Sequence, residues 1–321
     1  MGEPYISGDF VYRDVTPDDK PQVLAFTAST WEHGDYIDQV FDDWLADPDG
    51  RFLAAEERST GIVAAIDKLT MLSPTEAWFE GLRVNPAFRG RGLASTLQRF
   101  MIGEAAQLRA RSVRLLTLIT NLPIHKAAYR DGFTLVGIVR FWKWDQASTQ
   151  PAPEPQADAF PLRHAAPDEA NALYEWWRRA SAFQTAGLVH ENWTFAETSA
   201  GAWQSAASEK RLFVRSDVAI DPEGVPPPAV LVLHDTDDEE RPVWVFSAFI
   251  ALGNQWPSLL RGLIAAAREE GITKMQGLAP DIHDVNAGFT AAGFAGDADQ
   301  ERLCIFELSP IPPQPDLMGK E

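Results

Sequence analysis

The residues best suited to chemistry form the stretch Arg89-Gly90-Arg91-Gly92-Leu93-Ala94. It follows an apolar run that predicts a strand, and it precedes a helical pattern that begins near Leu93. Backbone N–H groups at a helix start lack partners, and the helix dipole favours an anion there. Glycines let the backbone approach a ligand closely, and arginines add positive charge. The pattern predicts a pyrophosphate-binding turn formed by Arg89, Gly90, Arg91, Gly92, Leu93, Ala94 and Ser95.

Two other phosphate-binding patterns fit this turn poorly. The dinucleotide-binding fold needs Gly-x-Gly-x-x-Gly after its first strand. Here the glycines follow the fourth predicted strand and the third glycine is missing. The P-loop needs Gly-Lys-Ser or Gly-Lys-Thr, which is absent. A glycine turn with a purely structural role is the remaining alternative.

Composition and charge exclude several classes of protein. The chain has 321 residues, 45% of them hydrophobic, and a net charge of −18. Such acidity argues against nucleic acid as a partner. No run of eighteen apolar residues and no secretory signal is seen, so we expect no membrane association and a cytoplasmic location. The single cysteine, Cys304, cannot form an internal disulfide, and no metal-ligand spacing occurs, so we expect no metal.

The chain repeats itself across a proline-rich stretch at 145–156 that is typical of a linker. Phe10, Arg13, Pro17 and Asp18 align without gaps to residues that lie 150 positions later, namely Phe160, Arg163, Pro167 and Asp168. The repeat predicts two copies of one α/β domain, at 1–145 and 159–309, joined by a linker at 146–158. A proline-rich tail follows at 310–321. In the second copy, helices are predicted at 167–181 and 192–207.

Three elements in the first copy resemble the GNAT superfamily of acyl-CoA-dependent N-acyltransferases. Arg89, Gly92 and Ala94 fill that family's Arg/Gln-x-x-Gly-x-Gly/Ala signature. Asn121 ends the predicted fifth strand, and Gly132-Phe133 follows at the family's spacing. The resemblance covers residues 9–145. It implies an α/β fold with a mixed sheet, built as two tandem GNAT domains that each have a central mixed β-sheet flanked by helices.

The resemblance also implies a cofactor and a mechanism. Acyl-CoA, here acetyl-CoA, would lie where the fourth and fifth strands separate. Its pyrophosphate would rest on the glycine turn, its pantetheine would pair with the backbone near Leu82 and Val84, and Asn121 would line the site. An acceptor amine would attack the thioester directly, without a covalent enzyme intermediate.

Glu80 is the candidate general base, because an attacking amine must lose a proton. Alternation along the strand predicts that Glu80, Leu82 and Val84 share one face. The alternative is an ordinary surface carboxylate. The family's usual general acid is a tyrosine at the position that Ala128 occupies here, so Tyr129, one residue later, is the candidate acid. His125 is a weaker alternative.

The acceptor is predicted to bind near the junction of the first two helices, at Trp31, Glu32, His33 and Tyr36. Seven acids and no Lys or Arg lie between positions 31 and 50. An acidic rim with aromatic side chains suits a cationic amine. The alternative is a solvated helix face.

The second copy lacks the signature residues. Its counterpart to the glycine turn, at 251–257, has no arginine, and Phe289 stands where the acid would be. We therefore predict a degenerate second domain and one working site. The predicted function is acetylation of a small cationic amine by a monomer or homodimer. The alternatives are a CoA-binding sensor and a protein N-terminal or lysine acetyltransferase.

Overall fold

A computed structural model describes residues 4–28, 30, 34–147, 158–181, 185–191, 193–220, 227–235, 243–296 and 302–312. The chain forms two compact units that do not follow chain order. The first comprises the chain through Leu116, the segment Leu122–Thr134 and the segment from Phe306 onward. The second comprises Thr117–Asn121 and Leu135–Ile305. The proposed division at 1–145 and 159–309 describes how the sequence repeats, and the two compact units are composed differently.

The first unit is a sheet flanked by helices. Its strands are β1 (Tyr5–Ser7), β2 (Phe10–Asp14), β3 (Arg51–Glu57), β4 (Ile62–Ser73), β5 (Glu76–Val84) and β6 (Ser112–Leu118, through Leu116). They are neighbours in that order, antiparallel up to β5, with β5 and β6 parallel. Its helices are α1 (Lys20–Thr27), α2 (Ile37–Ala46), α3 (Leu93–Gln107) and α4 (Leu122–Arg130).

Burial patterns explain how these helices pack. Helix α3 buries Leu93, Leu97, Met101 and Ala105, a stripe that repeats every four residues and packs on β3, β4 and β5. Helices α1 and α2 form another core with the sheet, centred on Phe41 and Ile66. The fold thereby places the glycine turn directly between the end of β5 and the start of α3.

The second unit has the same plan. Its strands are β7 (Thr134–Asp145, from Leu135), β8 (Leu162–His164), β11 (Leu212–Arg215), β12 (Ala229–Asp235), β13 (Val243–Ile250), β14 (Lys274–Pro280), the short β15 (Ala295–Gly296) and part of β16 (Arg302–Leu308). The order is β8-β11-β12-β13-β14-β7, with β13 and β14 parallel and the other pairs antiparallel. Its helices are α5 (Ala170–Ser181), α6 (Ala200–Ser208), α7 (Trp256–Glu269) and α8 (His283–Ala291).

A separate hairpin in the second unit corrects one prediction. The segment predicted as a helix at 192–207 instead begins with β10 (Thr194–Glu197), which pairs antiparallel with β9 (Leu188–Glu191). The helix starts only at Ala200, where the Ser199 side chain accepts a hydrogen bond from the Ala202 N–H at 3.2 Å. A serine cap at this point favours the later start. Within the described residues, no helix has the length and apolar character needed to cross a membrane.

Candidate active site

The glycine turn has the geometry of an anion cradle. After β5, Asn85 opens a short 3-10 turn by accepting a hydrogen bond from the Ala87 N–H at 3.1 Å. Gly90 and Gly92 both have φ of +79°, in the left-handed region that glycine favours. Gly92 is the N-cap of α3, so the first amides of that helix open toward the turn. The predicted cradle residues therefore stand together at one helix start.

Three arginines lie around this helix start. Arg89 is exposed, and Arg91 packs over the Phe88 ring with its Cζ 4.9 Å from the ring centroid. Arg130, on α4, donates to the Ser95 Oγ at 3.0 Å. The sequence interpretation missed Arg130, because a single arginine at the end of a helix carries no local signal of what it will approach. The turn thus combines helix amides with side-chain cations, which is the chemistry that binds phosphate.

Strands β5 and β6 separate close to the cradle. Their parallel register runs from Glu76 opposite Ser112 to Phe79 opposite Leu115. Strand β5 continues to Val84 beyond this last pair. The separation leaves backbone groups of β5 at an open edge, available to a ligand.

A bulge in β5 corrects the predicted alternation. Glu80 lies opposite Lys68 and Arg83 lies opposite Ile66, so β5 carries one extra residue between these pairs. Cross-strand partners share a face, and therefore Glu80 shares a face with Arg83. Val84 lies opposite Ala65, on the other face. The prediction that Glu80 and Val84 share a face is wrong, because the extra residue reverses the alternation.

Gly81 makes the bulge possible. Its φ is +70°, and an added Cβ would lie 2.4 Å from the Trp44 Cη2 atom. A larger residue would therefore be strained both by conformation and by collision with a ring. The bulge brings the backbone of Gly81 and Leu82 to the point where β5 leaves β6.

Glu80 is mostly buried and has defined partners. The Thr70 hydroxyl donates to the Glu80 Oε1 at 2.6 Å. Burial raises the pKa of Glu80, while the Thr70 hydrogen bond and the Lys68 charge act in the opposite direction. Lys68 itself is buried and bound to Asp47 at 2.5 Å. A carboxylate with a raised pKa beside a cleft has the properties of a general base.

A charged cluster lies on the same face of β5 as Glu80. The Arg83 guanidinium donates to Asp35 at 2.6 and 3.1 Å and lies over the Tyr36 ring, 5.4 Å from its centroid. The Tyr36 ring in turn meets Trp44 edge-on, with centroids 6.0 Å apart. Of the residues predicted to bind the acceptor, Tyr36 therefore lies near Glu80. The other three, Trp31, Glu32 and His33, lie outside the described residues.

Asp67 is a second buried carboxyl that the sequence interpretation missed. It lies on β4 opposite the bulge, between Lys68 and Ile66, and is almost fully buried. Burial raises the pKa of Asp67 well above its usual range, and the nearby charge of Glu80 raises it further. A buried charged residue in an otherwise apolar strand was the signal available in the sequence.

Helix α4 exposes Tyr129 and buries Ala128. Tyr129 is 56% exposed and meets the Phe306 ring edge-on at 5.3 Å, whereas Ala128 is fully buried. His125, one turn earlier, meets the same Phe306 ring at 5.1 Å. The two candidate acids therefore share one face of α4, and the position of the family's usual tyrosine points into the core.

Asn121 belongs to the segment Thr117–Asn121 of the second unit. Its side chain Nδ2 donates to the Thr117 Oγ1 at 3.0 Å, and its backbone N–H bonds the Leu118 carbonyl at 2.9 Å. These bonds turn the chain at the end of β6. A role in cofactor binding stays a prediction.

Comparisons with known proteins identify a related family for part of the chain. Residues 18–133 match the acetyltransferase (GNAT) family model. An 80-residue stretch is 36% identical to human probable N-acetyltransferase 16 and covers 25% of this chain but only 21% of that protein.

Solved structures extend the likeness over nearly the whole chain. A GCN5-related N-acetyltransferase from Sphaerobacter thermophilus superposes with a TM-score of 0.60 at 16% identity, covering 96% of this chain and 98% of that one. A tandem GNAT protein from the clavulanic acid biosynthesis pathway superposes with a TM-score of 0.50 at 16% identity, covering 94% and 98%. At such identity the likeness concerns the fold alone. Residues 18–133 thus match the GNAT acetyltransferase family, and the chain as a whole has the fold of a tandem GNAT protein.

Proposed function

We propose that the first unit transfers the acetyl group of acetyl-CoA to the primary amine of a small cationic metabolite. The observation that carries the proposal is the combination, in one unit, of a cradle at the start of α3, a strand separation beside it and a buried carboxylate at that separation. Each part has a separate task in a direct transfer. The cradle binds the pyrophosphate, the open edge of β5 holds the pantetheine, and Glu80 receives the proton.

Acetyl-CoA supplies an activated thioester when bound. The backbone at the bulge, around Leu82, offers an N–H that can stabilise the oxyanion of the tetrahedral intermediate. Glu80 accepts the proton that the attacking ammonium group must lose. The C–N bond then forms and gives this intermediate, whose nitrogen loses a second proton to solvent. The C–S bond breaks next, and Tyr129 is proposed to protonate the departing thiolate.

The charges on the acceptor side favour a cation. Arg83 is neutralised by Asp35 and Lys68 by Asp47, as their short ion pairs indicate. Within the part of the chain that the structure describes, Glu80 forms no ion pair with an arginine or lysine. The remaining charge is therefore negative whenever Glu80 is ionised, and it attracts an ammonium group.

The decisive experiment measures release of CoA from acetyl-CoA with a panel of polyamines, aminoglycosides and amino acids. We expect turnover with at least one small cationic amine. Binding of acetyl-CoA without turnover on any acceptor would favour the sensor alternative, for which the buried Ala128 is the supporting observation. Turnover only with peptides would favour a protein acetyltransferase.

Two variants test the assigned residues. Glu80→Gln should lower turnover at neutral pH about 100-fold, within the range typical of a lost general base, and should leave acetyl-CoA binding unchanged. Arg89→Ala combined with Gly92→Asp should abolish acetyl-CoA binding, measured by calorimetry. Retained binding in the double variant would show that the cradle assignment is wrong.

A further inference from the structure

The second unit contains the same strand separation as the first. Its parallel pair β13 and β14 keeps register from Val243 opposite Lys274 to Phe246 opposite Gly277. Directly after that last pair, β13 carries one extra residue, Ser247. In the first unit, β5 likewise bulges shortly after its last pair with β6, between Glu80 and Arg83. A cleft between two separating strands is therefore part of both units.

The β9–β10 hairpin lies in this second cleft and bonds to both of its strands. The His190 Nε2 accepts a hydrogen bond from the Leu278 N–H at 3.0 Å, the first amide of β14 beyond the last pair. The Ser247 hydroxyl donates to the His190 carbonyl at 2.6 Å. One residue of the hairpin thus satisfies a polar group on each side of the separation.

The rest of the hairpin closes the cleft further. The Trp193 ring stacks on Phe141 with centroids 5.2 Å apart and planes 21° apart. Trp193 has φ of +72°, a strained conformation for a bulky side chain, so the surrounding structure must hold it. The space that remains is a cavity of about 20 Å³, lined among others by Trp177, His190 and Trp256. Such a volume holds one water molecule and no acyl chain.

We propose that the β9–β10 hairpin is a built-in occupant of the second unit's cleft, so that this cleft takes no acyl-CoA. The inference rests on the proposed function in so far as the equivalent cleft of the first unit binds acetyl-CoA. Burial lowers the pKa of His190 to about 4, so its ring is neutral and able to accept a hydrogen bond at physiological pH. In the second unit the hairpin therefore occupies the cleft that acetyl-CoA is proposed to occupy in the first unit. The second unit also lacks the cradle residues.

Hydrogen exchange at the Leu278 amide tests the hairpin directly and does not depend on acetyl-CoA. His190→Ala should accelerate exchange at this amide about tenfold or more, because it removes the acceptor and opens the cleft. His190→Gln should restore most of the protection, since its side-chain oxygen reaches a similar position. Glu191→Ala, on the exposed side of the same hairpin, is the matched control and should change nothing. Unchanged exchange in His190→Ala would overturn the proposal, as would failure of His190→Gln to restore protection in a folded protein.

The stoichiometry of acetyl-CoA binding tests whether the second cleft takes acyl-CoA. Calorimetry of the full chain should give one acetyl-CoA per chain. Two acetyl-CoA per chain would overturn the filled cleft and leave the first site intact. No binding at all would contradict the proposed function, while the exchange result at Leu278 would still decide the role of the hairpin.

Discussion

The pKa of Glu80 depends on the burial of its side chain and on a hydrogen bond from one hydroxyl group. Burial raises its pKa, and the hydrogen bond from Thr70 lowers it again. The general base must be ionised to accept a proton, so the rate should fall as the pH drops through the pKa of Glu80. The position of this acidic limb therefore reports the balance between burial and the Thr70 bond.

We expect Thr70→Val to move the acidic limb of kcat/KM to higher pH. Without the donor, the ionised form of Glu80 loses a stabilising bond and its pKa rises. The pH profile of kcat/KM measures the shift, with little change expected at the high-pH plateau. Thr60→Val removes a hydroxyl that bonds Glu57 on the surface and should leave the profile in place. An unmoved limb in Thr70→Val would mean that another group controls it.

Two kinds of glycine show which features of single residues the sequence predicts and which it does not. The positive φ of Gly90 and Gly92 is what their signature predicts, because each glycine there has a specific backbone task. The bulge at Gly81 is different, since counting alternate residues assumes that none is extra. A glycine inside a strand was the available signal. Its effect on Glu80 depends on the register of β4, which a single strand's sequence does not contain.

At the scale of elements, both units contain the same ion pair between a strand and the following helix. Arg13, on β2, donates to Asp19 at 2.7 and 2.8 Å, and the Asp19 carboxylate also accepts the Thr16 N–H. Arg163 and Glu169 repeat this arrangement in the second unit at 2.6 Å, with the Ala166 N–H as the third partner. The acid thus joins a strand to the start of the following helix. The residues that align in the sequence repeat therefore form the same ion pair and backbone hydrogen bond in both units.

We predict that Asp19→Asn lowers the free energy of unfolding by about 2 kcal/mol at pH 7. Burial alone would raise the pKa of Asp19, but bonds from Arg13 and Thr16 outweigh it and hold the pKa below 3.8. The stabilisation is therefore complete above the unfolded pKa and disappears as the pH falls through the folded one. Urea unfolding at several pH values measures this, and the two proteins should converge once the pH is well below the folded pKa of Asp19. A difference independent of pH would contradict the ionic origin.

Most elements were predictable because their periodicity is local. The strands around the cradle and helix α3 follow from apolar spacing that short windows contain. The segment at 192–207 was predicted as a helix because the second copy was expected to repeat the element order of the first. Thr194 and Phe195 favour a strand, and their pairing with β9 decides the outcome. A hairpin of two short strands has too few residues for its period to be recognised.

At the scale of the molecule, the first unit needs residues from the end of the chain. Arg114 is 1% exposed and binds both Glu76 and Glu307 at 2.5 Å. Phe306 supports the rings of His125 and Tyr129. Arg114 and Glu307 lie 193 positions apart in the chain. Sequence periodicity is local and does not show which distant segments pair. For this reason the sequence did not predict which segments form each unit.

A fragment of residues 1–147 should be far less stable than the full chain. It keeps the cradle but loses Glu307, and removing one partner of a buried ion pair costs about 3–5 kcal/mol. Thermal unfolding of the fragment should show a low or broad transition, and a peptide of residues 302–312 should raise it. A chain ending at residue 312 retains β16 and is the control. A fragment that unfolds cooperatively at the temperature of the full chain would refute the requirement.

The late position of Phe306–Leu308 also sets the order of events during synthesis. More than 150 residues separate the end of α4 from these partners, and all of them must be translated first. A ribosome adds on the order of 5–20 residues per second, so this takes many seconds. The unit that carries the cradle therefore stays incomplete until these residues emerge, although most of it is translated first. Until then, the buried charge of Arg114 and the rings on α4 lack part of their cover, and such transiently exposed surface favours aggregation. A stop codon before codon 306 would consequently impair a site whose own residues are all translated much earlier.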